Sequence, residues 1–263
     1  MSIGDAEIKT QERVIRFFKD PEILGYQYIG NLSDYQNKNI KEDRLRQYLR
    51  LKGYADKLVD AAVMQLQQEA GNLSRGVYDA NKTVYSRLKY GIPVSESPEK
   101  PPVTVQLVDE EKPLNNDFAI AEEVTVVEQS EKRPDLVVYL NGIAVAVIEL
   151  KRSSISVSEG IRQNLTNQKN SFIQSFFTTM QFCMAGNESE GLRYGTLLTG
   201  EKFYIKNMHL QVKPPDGHVV ISAPLSVDDK AIEAYARTQL GFIKRAIAQF
   251  QDQPRASSLE TYS

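Results

Sequence analysis

A chain of 263 residues with 41% apolar and 25% charged residues has the composition of an ordinary globular protein, long enough for one large domain or two small ones. Its formal net charge of −2 and pI near 5.9 exclude a general attraction to nucleic acid, so any phosphate contact has to come from a local basic patch. A single cysteine, Cys183, excludes an internal disulfide and a thiolate zinc site, and on its apolar segment it reads as a buried hydrophobe. The longest apolar run, Ile143 to Ile148, is far short of the roughly 20 residues a membrane-spanning helix needs, and the N-terminus lacks the apolar segment of a secretion signal. A cytoplasmic protein without membrane contact is therefore expected.

The first part of the chain reads as helical. Thr10 can cap a helix over 10–19 that carries Val14, Ile15, Phe17 and Phe18 and stops at Pro21. Further helices are expected over 40–52, ending at Gly53, over 55–70, ending at Gly71, and over 78–90, ending at Gly91, each glycine taking the left-handed C-terminal position. The stretch 93–102 is rich in proline, serine and charge and marks a connection, because its prolines oppose helix and central strand alike. Beyond it β-branched residues predict strands over 103–108, 119–127, 135–140 and 143–151. Helices return at 156–167 and near 171–178, followed by strand-like MQFCMA, LRYGTLLT and EKFYIK. A last helix is expected over 226–250, with a frayed tail after it. The expected organisation is a helical part over 1–92 whose helix 10–19 joins the core, the connection 93–102, an α/β core over 103–212, and a C-terminal extension over 213–263.

The informative segment is RPDLVVYLNGIAVAVIELKRS, Arg133 to Ser153. Two apolar strands flank Asn141-Gly142, a strong hairpin signal, and their apolar residues lie on both faces, which places the hairpin inside a sheet covered on both sides. Asp135, Glu149 and Lys151 sit at its open end, where a charge is costly unless paired or bound to an ion. With a two-residue turn Asp135 would oppose Ile148, and the two acids would point to opposite faces. With a three-residue loop, Leu140-Asn141-Gly142, closed by a left-handed Gly142 bulge, Tyr139 pairs with Ile143 and Asp135 with Val147, and the three charges share a face. The bulged loop is the expectation. Two carboxylates and the Leu150 carbonyl then suit a hard cation such as Mg²⁺, which activates water against a phosphodiester while Lys151 orients the water or offsets charge on the phosphate.

These residues resemble a known motif. Pro134-Asp135 followed by Glu149-Leu150-Lys151 is similar to the PD-(D/E)xK nuclease signature. The ordered blocks YDANKTVY, NDFAIAEEVTV, the hairpin itself, VSEGIRQNLTNQ and MAGNESEGLRYGT resemble the N-terminal nuclease domain of the R (restriction) subunit of type I restriction enzymes, over about Thr10 to Lys206. The resemblance implies a restriction-endonuclease-like α/β fold: a mixed sheet with an αβββαβ core, flanked by helices, to which the N-terminal part adds a helical layer. It also implies Mg²⁺ as cofactor, double-stranded DNA as substrate, and modification (M) and specificity (S) subunits as partners. Carried over by position, Asp135 and Glu149 are metal ligands and Lys151 the catalytic lysine. The family's further acid on the first helix falls on Glu12, and its glutamine after the lysine strand falls on Gln163, with Asn167 where a tyrosine often stands.

Lys132, Arg133, Arg152, Arg162 and Lys169 surround the motif in sequence and are candidates to neutralise DNA phosphates. Glu122 and Glu123 alternate along a strand, so at most one of them can face the site. Full-length R subunits carry an ATP-driven translocase, yet the chain contains no GxxxxGK[ST] phosphate loop, so ATP enters only through a motor outside it. A truncated subunit, an excised portion and a stand-alone relative all fit. A non-catalytic docking module on the same fold, or a nuclease of repair or recombination, are the alternative readings.

Overall fold

The computed structural model describes residues 3–206, 209–213 and 218–222, with short helical pieces at 243–244 and 247–248. The chain divides into two compact units, Met1–Tyr204 and Ile205–Ser263. In the second, His209–Lys213 and His218–Ser222 form an antiparallel hairpin, and the helix expected over 226–250 lies almost wholly outside the described residues. Among the described residues no helix is long and apolar enough to cross a membrane.

The first unit is a mixed α/β structure. Its elements are α1 (Ile3–Lys19), β1 (Gln27–Asn31), α2 (Glu42–Leu51), α3 (Asp56–Gly71), α4 (Val77–Tyr90), β2 (Ile92–Val94), β3 (Val103–Val105), β4 (Phe118–Glu122), β5 (Val126–Val127), β6 (Glu131–Lys132), β7 (Leu136–Leu140), β8 (Ile143–Leu150), α5 (Val157–Asn167), β9 (Phe182–Asn187) and β10 (Gly191–Gly195). The main sheet runs β1-β4-β7-β8-β9-β10. β1 lies parallel to β4 and β9 parallel to β8, while the other neighbours are antiparallel. The succession α1, β4, β7, β8, α5, β9 is the αβββαβ order the resemblance implied.

Both faces of the central strands are covered, as their continuous apolar runs require. Val137, Tyr139, Val147, Cys183 and Ala185 pack with Val157 and Ile161 of α5 on one face. Leu136, Val138, Ala146 and Ile148 pack with Ile15 of α1 on the other. Helices α2, α3 and α4 bury Leu45, Leu49, Val63, Leu66 and Val84 in a third cluster that reaches Ile143 at the turn end of the hairpin.

Several elements differ from the sequence reading for local reasons. Helix α3 continues through Gly71 and ends at Asn72, whereas Gly53 and Gly91 do take positive φ. The prolines near 93 do not prevent a ribbon, because Pro93 sits in the short two-stranded pair of β2 and β3, which the main sheet does not include. The strand expected over 119–127 breaks after Glu122, since Glu123 takes a φ of 51°. The segment near 171–178 is a 3-10 helix, Gln174–Thr179, and Glu201–Phe203 is another where a strand was expected. β1 was not anticipated: it is a half-exposed edge strand of five residues interrupted by Gly30 at φ 100°.

The hairpin corrects the expected turn. Leu140 pairs with Ile143 and Tyr139 with Ala144, so the connection is the two-residue turn Asn141-Gly142, both residues at positive φ (52° and 82°), as a type I′ turn needs. The extra residue lies further along: the register jumps so that Val138 pairs with Ala146, leaving Val145 as the bulge. The Val145 carbonyl accepts the Gln181 N–H at 2.7 Å as the chain enters β9. That one-residue jump restores the parity a two-residue turn alone would lose. Leu136 comes opposite Ile148, and Asp135, one residue earlier, stands across from Glu149.

The turn is held by buried polar contacts. Asn141 accepts the Asp117 N–H at 2.7 Å and donates to the Leu107 carbonyl and to Asn116 Oδ1, both at 2.8 Å. A Cβ at Gly142 would lie 2.6 Å from the Lys41 carbonyl and 2.8 Å from the Leu45 nitrogen, both backbone. We expect Gly142→Ala to destabilise the chain by about 2 kcal/mol or more, from positive-φ strain plus that overlap. A chemical-denaturation midpoint equal to the unmodified chain's would contradict this turn.

Candidate metal centre and active site

The site forms at the sheet end where β4 and β8 finish and β7 begins. Pro134 precedes Asp135 at the entry of β7, and Asp135 Oδ2 accepts the Leu150 N–H at 2.6 Å. Across from it Glu149 has no exposure to solvent. Glu149 Oε2 accepts from Gln163 Nε2 at 2.6 Å, while Oε1 has no protein donor. The Asp135 and Glu149 carboxyls contact each other. Burial first and the Asp135 charge second hold Glu149 well above the usual carboxylate range, against the opposing pull of Lys151. Lys151 Nζ donates to the Leu150 carbonyl at 3.1 Å, and its own N–H to the Gly186 carbonyl at 2.9 Å.

This arrangement is costly as it stands, because it holds two carboxyls together with one oxygen orphaned in the interior. A divalent cation removes both costs at once. Asp135, Glu149 and the Leu150 carbonyl are all hard oxygen donors, so the residues present fit Mg²⁺. Among the described residues no three acid, histidine or cysteine side chains lie close enough to hold one ion, so an ion here would have at most two such side chains, Asp135 and Glu149, as direct ligands.

The packing that positions the pair is local. Gly160 lets α5 approach β8: a Cβ there would lie 3.0 Å from Ala185 Cβ and 3.5 Å from Glu149 Cβ. One turn later Gln163 reaches Glu149. The segment between Lys151 and α5 is braced by the β9–β10 turn. Asn187 Nδ2 donates to the Ile155 carbonyl at 2.7 Å, Ser189 Oγ to the Ser153 carbonyl at 2.8 Å, and Glu190 Oε1 accepts the Val157 N–H at 2.9 Å, supplying an acid to the N-terminus of α5.

Asp135, Glu149, Lys151 and Gln163 are thus brought together. Glu12 is exposed on α1, and the residue of that helix that reaches the sheet acids is its neighbour, buried Gln11, whose Nε2 donates to Glu122 Oε2 at 3.0 Å and Glu123 Oε1 at 3.2 Å. The glutamine side chain is long enough to satisfy two strand-end carboxylates where a third acid would repel them. Glu123 also stands beside the site, its N–H donating to the Asp135 carbonyl at 2.8 Å. Among the basic candidates, Arg162 is held by Glu159 and Glu201, each at 2.8 Å. Lys132 lies over the Phe172 ring and Arg133 donates to Thr125, while Arg152 is half-buried and Lys169 exposed. Cys183 is buried, and burial pushes its thiol up to about 12, so it is no nucleophile.

Sequence reasoning missed Gln11, the place of Glu123 beside Asp135, and the bracing role of Asn187 and Glu190. The Asn-Glu-Ser-Glu run before Gly191 did carry a turn signal, but its partners lie more than thirty residues away in the chain. Gln11 offered no signal, because a helical glutamine among charged residues looks solvated.

With this geometry in view, comparison with known proteins is specific. Residues 7–203 match the family described as the type I restriction enzyme R protein N terminus. No curated protein matches the chain. The matched span ends beside Tyr204, where the first structural unit closes, and it contains every residue of the acidic centre. The chain belongs to the family of type I restriction enzyme R protein N-terminal domains.

Proposed function

We propose that this chain is a Mg²⁺-dependent endonuclease module that hydrolyses phosphodiester bonds of double-stranded DNA within a type I restriction system. The observation that carries the reading is Glu149, fully buried, with one carboxylate oxygen unpaired and the other fixed by Gln163, facing Asp135 beside Lys151. A structural ion pair does not need a buried acid in contact with a second, half-buried one. A cation site does. Membership of the R-protein family supports modification and specificity subunits as partners and an ATP-driven motor outside this chain.

In this reading Asp135 and Glu149 hold the ion and the Leu150 carbonyl adds a third oxygen. Bound Mg²⁺ supplies a Lewis acid that polarises the phosphate and lowers the pKa of water. Gln163 fixes the rotamer of Glu149, so that Oε1 stays directed at the ion. Lys151 offsets negative charge developing on the phosphate and orients the attacking water. Lys132, Arg133, Arg152 and Lys169 are the cations available for the DNA backbone, whereas Arg162 would first have to leave two carboxylates.

Two outcomes follow. In a plasmid-nicking assay with Mg²⁺, on the protein assembled with its partner subunits, Lys151→Ala should lower the rate about a hundredfold or more. Equal nicking by both forms removes the catalytic assignment. The second concerns pH. Glu149 has a folded pKa raised above its unfolded value, so its contribution to the metal-free fold worsens as pH rises from the ordinary carboxylate range through the folded pKa. Glu149→Gln should therefore flatten that fall in stability, and Mg²⁺ binding to the unmodified chain should release a proton below the folded pKa of Glu149 and tighten as pH rises. Calorimetry in buffers of different ionisation enthalpy reads this directly; binding that releases no proton at any pH contradicts it.

A further inference from the structure

Glu123 occupies a position that the backbone does not favour. It is one of three non-glycine residues among those described with positive φ (51°), and it interrupts a segment rich in β-branched residues that would otherwise continue β4. The kink leaves two hydrogen bonds that tie the segment to the entry of β7: Glu123 N–H donates to the Asp135 carbonyl at 2.8 Å and Val124 N–H to the Pro134 carbonyl at 3.0 Å. Its carboxylate is then set from outside. Gln11 Nε2 lies 3.2 Å from Oε1, and Arg133 lies 4.0 Å from Oε2. The side chain is about one third exposed, so it borders the centre where water can reach, while Glu149 is sealed within it.

Glu122 and Glu123 at the end of β4 stand beside Asp135, which lies across from Glu149, with Lys151 and Arg133 as neighbouring cations. Glu149, sealed from solvent and in contact with Asp135, keeps an Oε1 without a donor. We infer that Glu123, oriented by Gln11 of α1, is a third acidic residue of the cation site, holding water of the bound ion and not the ion itself. Action through water follows from distance, since no three acids of the described chain gather closely enough for direct ligation. Mg²⁺ retains most of its waters, and carboxylates that hold those waters strengthen and orient the site. The strained backbone is the means of turning this carboxylate toward the ion, because an extended residue here would continue the ladder.

The inference rests on the cation-site reading, and the test separates the two. Mn²⁺ binding to the full chain is measured by calorimetry, with thermal unfolding of the metal-free proteins alongside. The unmodified chain should bind one ion and Glu149→Gln none. Glu123→Gln should weaken binding about tenfold with an unchanged melting temperature. Glu123→Gly is the sharper variant. Glycine accepts the left-handed conformation without strain, so the melting temperature should hold or rise while affinity falls by a similar factor. Opposite movements of stability and affinity cannot come from damage to the fold. Gln11→Ala should weaken binding in the same direction by a smaller factor. Affinities of the Glu123 variants equal to the unmodified chain's, with Glu149→Gln still abolishing binding, overturn the role of Glu123 and leave the cation site standing. Absence of Mn²⁺ binding by the unmodified chain overturns both.

Discussion

Strand register at Val145 is the constraint on which the rest of this structure depends. A two-residue turn sets the hairpin with Asp135 and Glu149 on opposite faces, and one bulged residue reverses that outcome for everything beyond it. A bulge is unfavourable within a ladder unless its freed groups find partners. Here the Val145 carbonyl is taken by Gln181, at the point where β9 joins β8 in parallel. The same residue that shifts parity therefore also starts the next strand, and the acids meet because β9 enters where it does.

Around this hairpin the fold is held by buried and half-buried side-chain amides. Asn141 binds the turn to Asp117, Leu107 and Asn116. Asn81 of α4 donates to the Thr178 and Met180 carbonyls at 3.0 and 2.8 Å, closing the end of the 3-10 helix that leads into β9. Asn187 fixes the segment after Lys151. Each amide meets backbone groups that helix or sheet bonds do not satisfy, and each lies in one of the sequence blocks that carry the family resemblance. Those blocks are therefore largely positional: they hold loops, and the loops hold the acids and the lysine.

Much of this was legible in the sequence. The periodicity of Val14, Ile15 and Phe18, the apolar runs of β7 and β8, and the Asn-Gly turn lead to helices, central strands and hairpin with small errors at the ends, except that α1 begins at Ile3 and runs through Thr10, the expected cap. The common facing of Asp135, Glu149 and Lys151 was also legible, though through the wrong device. A requirement that charges meet fixes only whether the extra residues are odd or even in number, and a Gly142 bulge and a Val145 bulge satisfy it equally. The choice between them belongs to tertiary contacts at Asn141 and Gln181, which no local pattern encodes. Glu123 escaped for a related reason. In a run of alanine, valine and threonine, alternation predicts a continued strand, and the break follows from hydrogen bonds to Pro134 and Asp135 ten or more residues away. Gln11 and Glu12 are adjacent on a helix, and which one faces the sheet is set by how α1 seats on Leu136 and Ile148.

The physical account reduces to a buried carboxyl and a half-buried one brought together by a displaced strand register, a state that the proposed divalent ion would make favourable. Anomalous diffraction from crystals of the chain soaked in Mn²⁺ tests it most directly. The expected result is a single strong peak between the carboxylates of Asp135 and Glu149 and beside the Leu150 carbonyl. An electron-density map with Asp135 and Glu149 on opposite faces of the hairpin, or with manganese bound elsewhere and none between them, would contradict it.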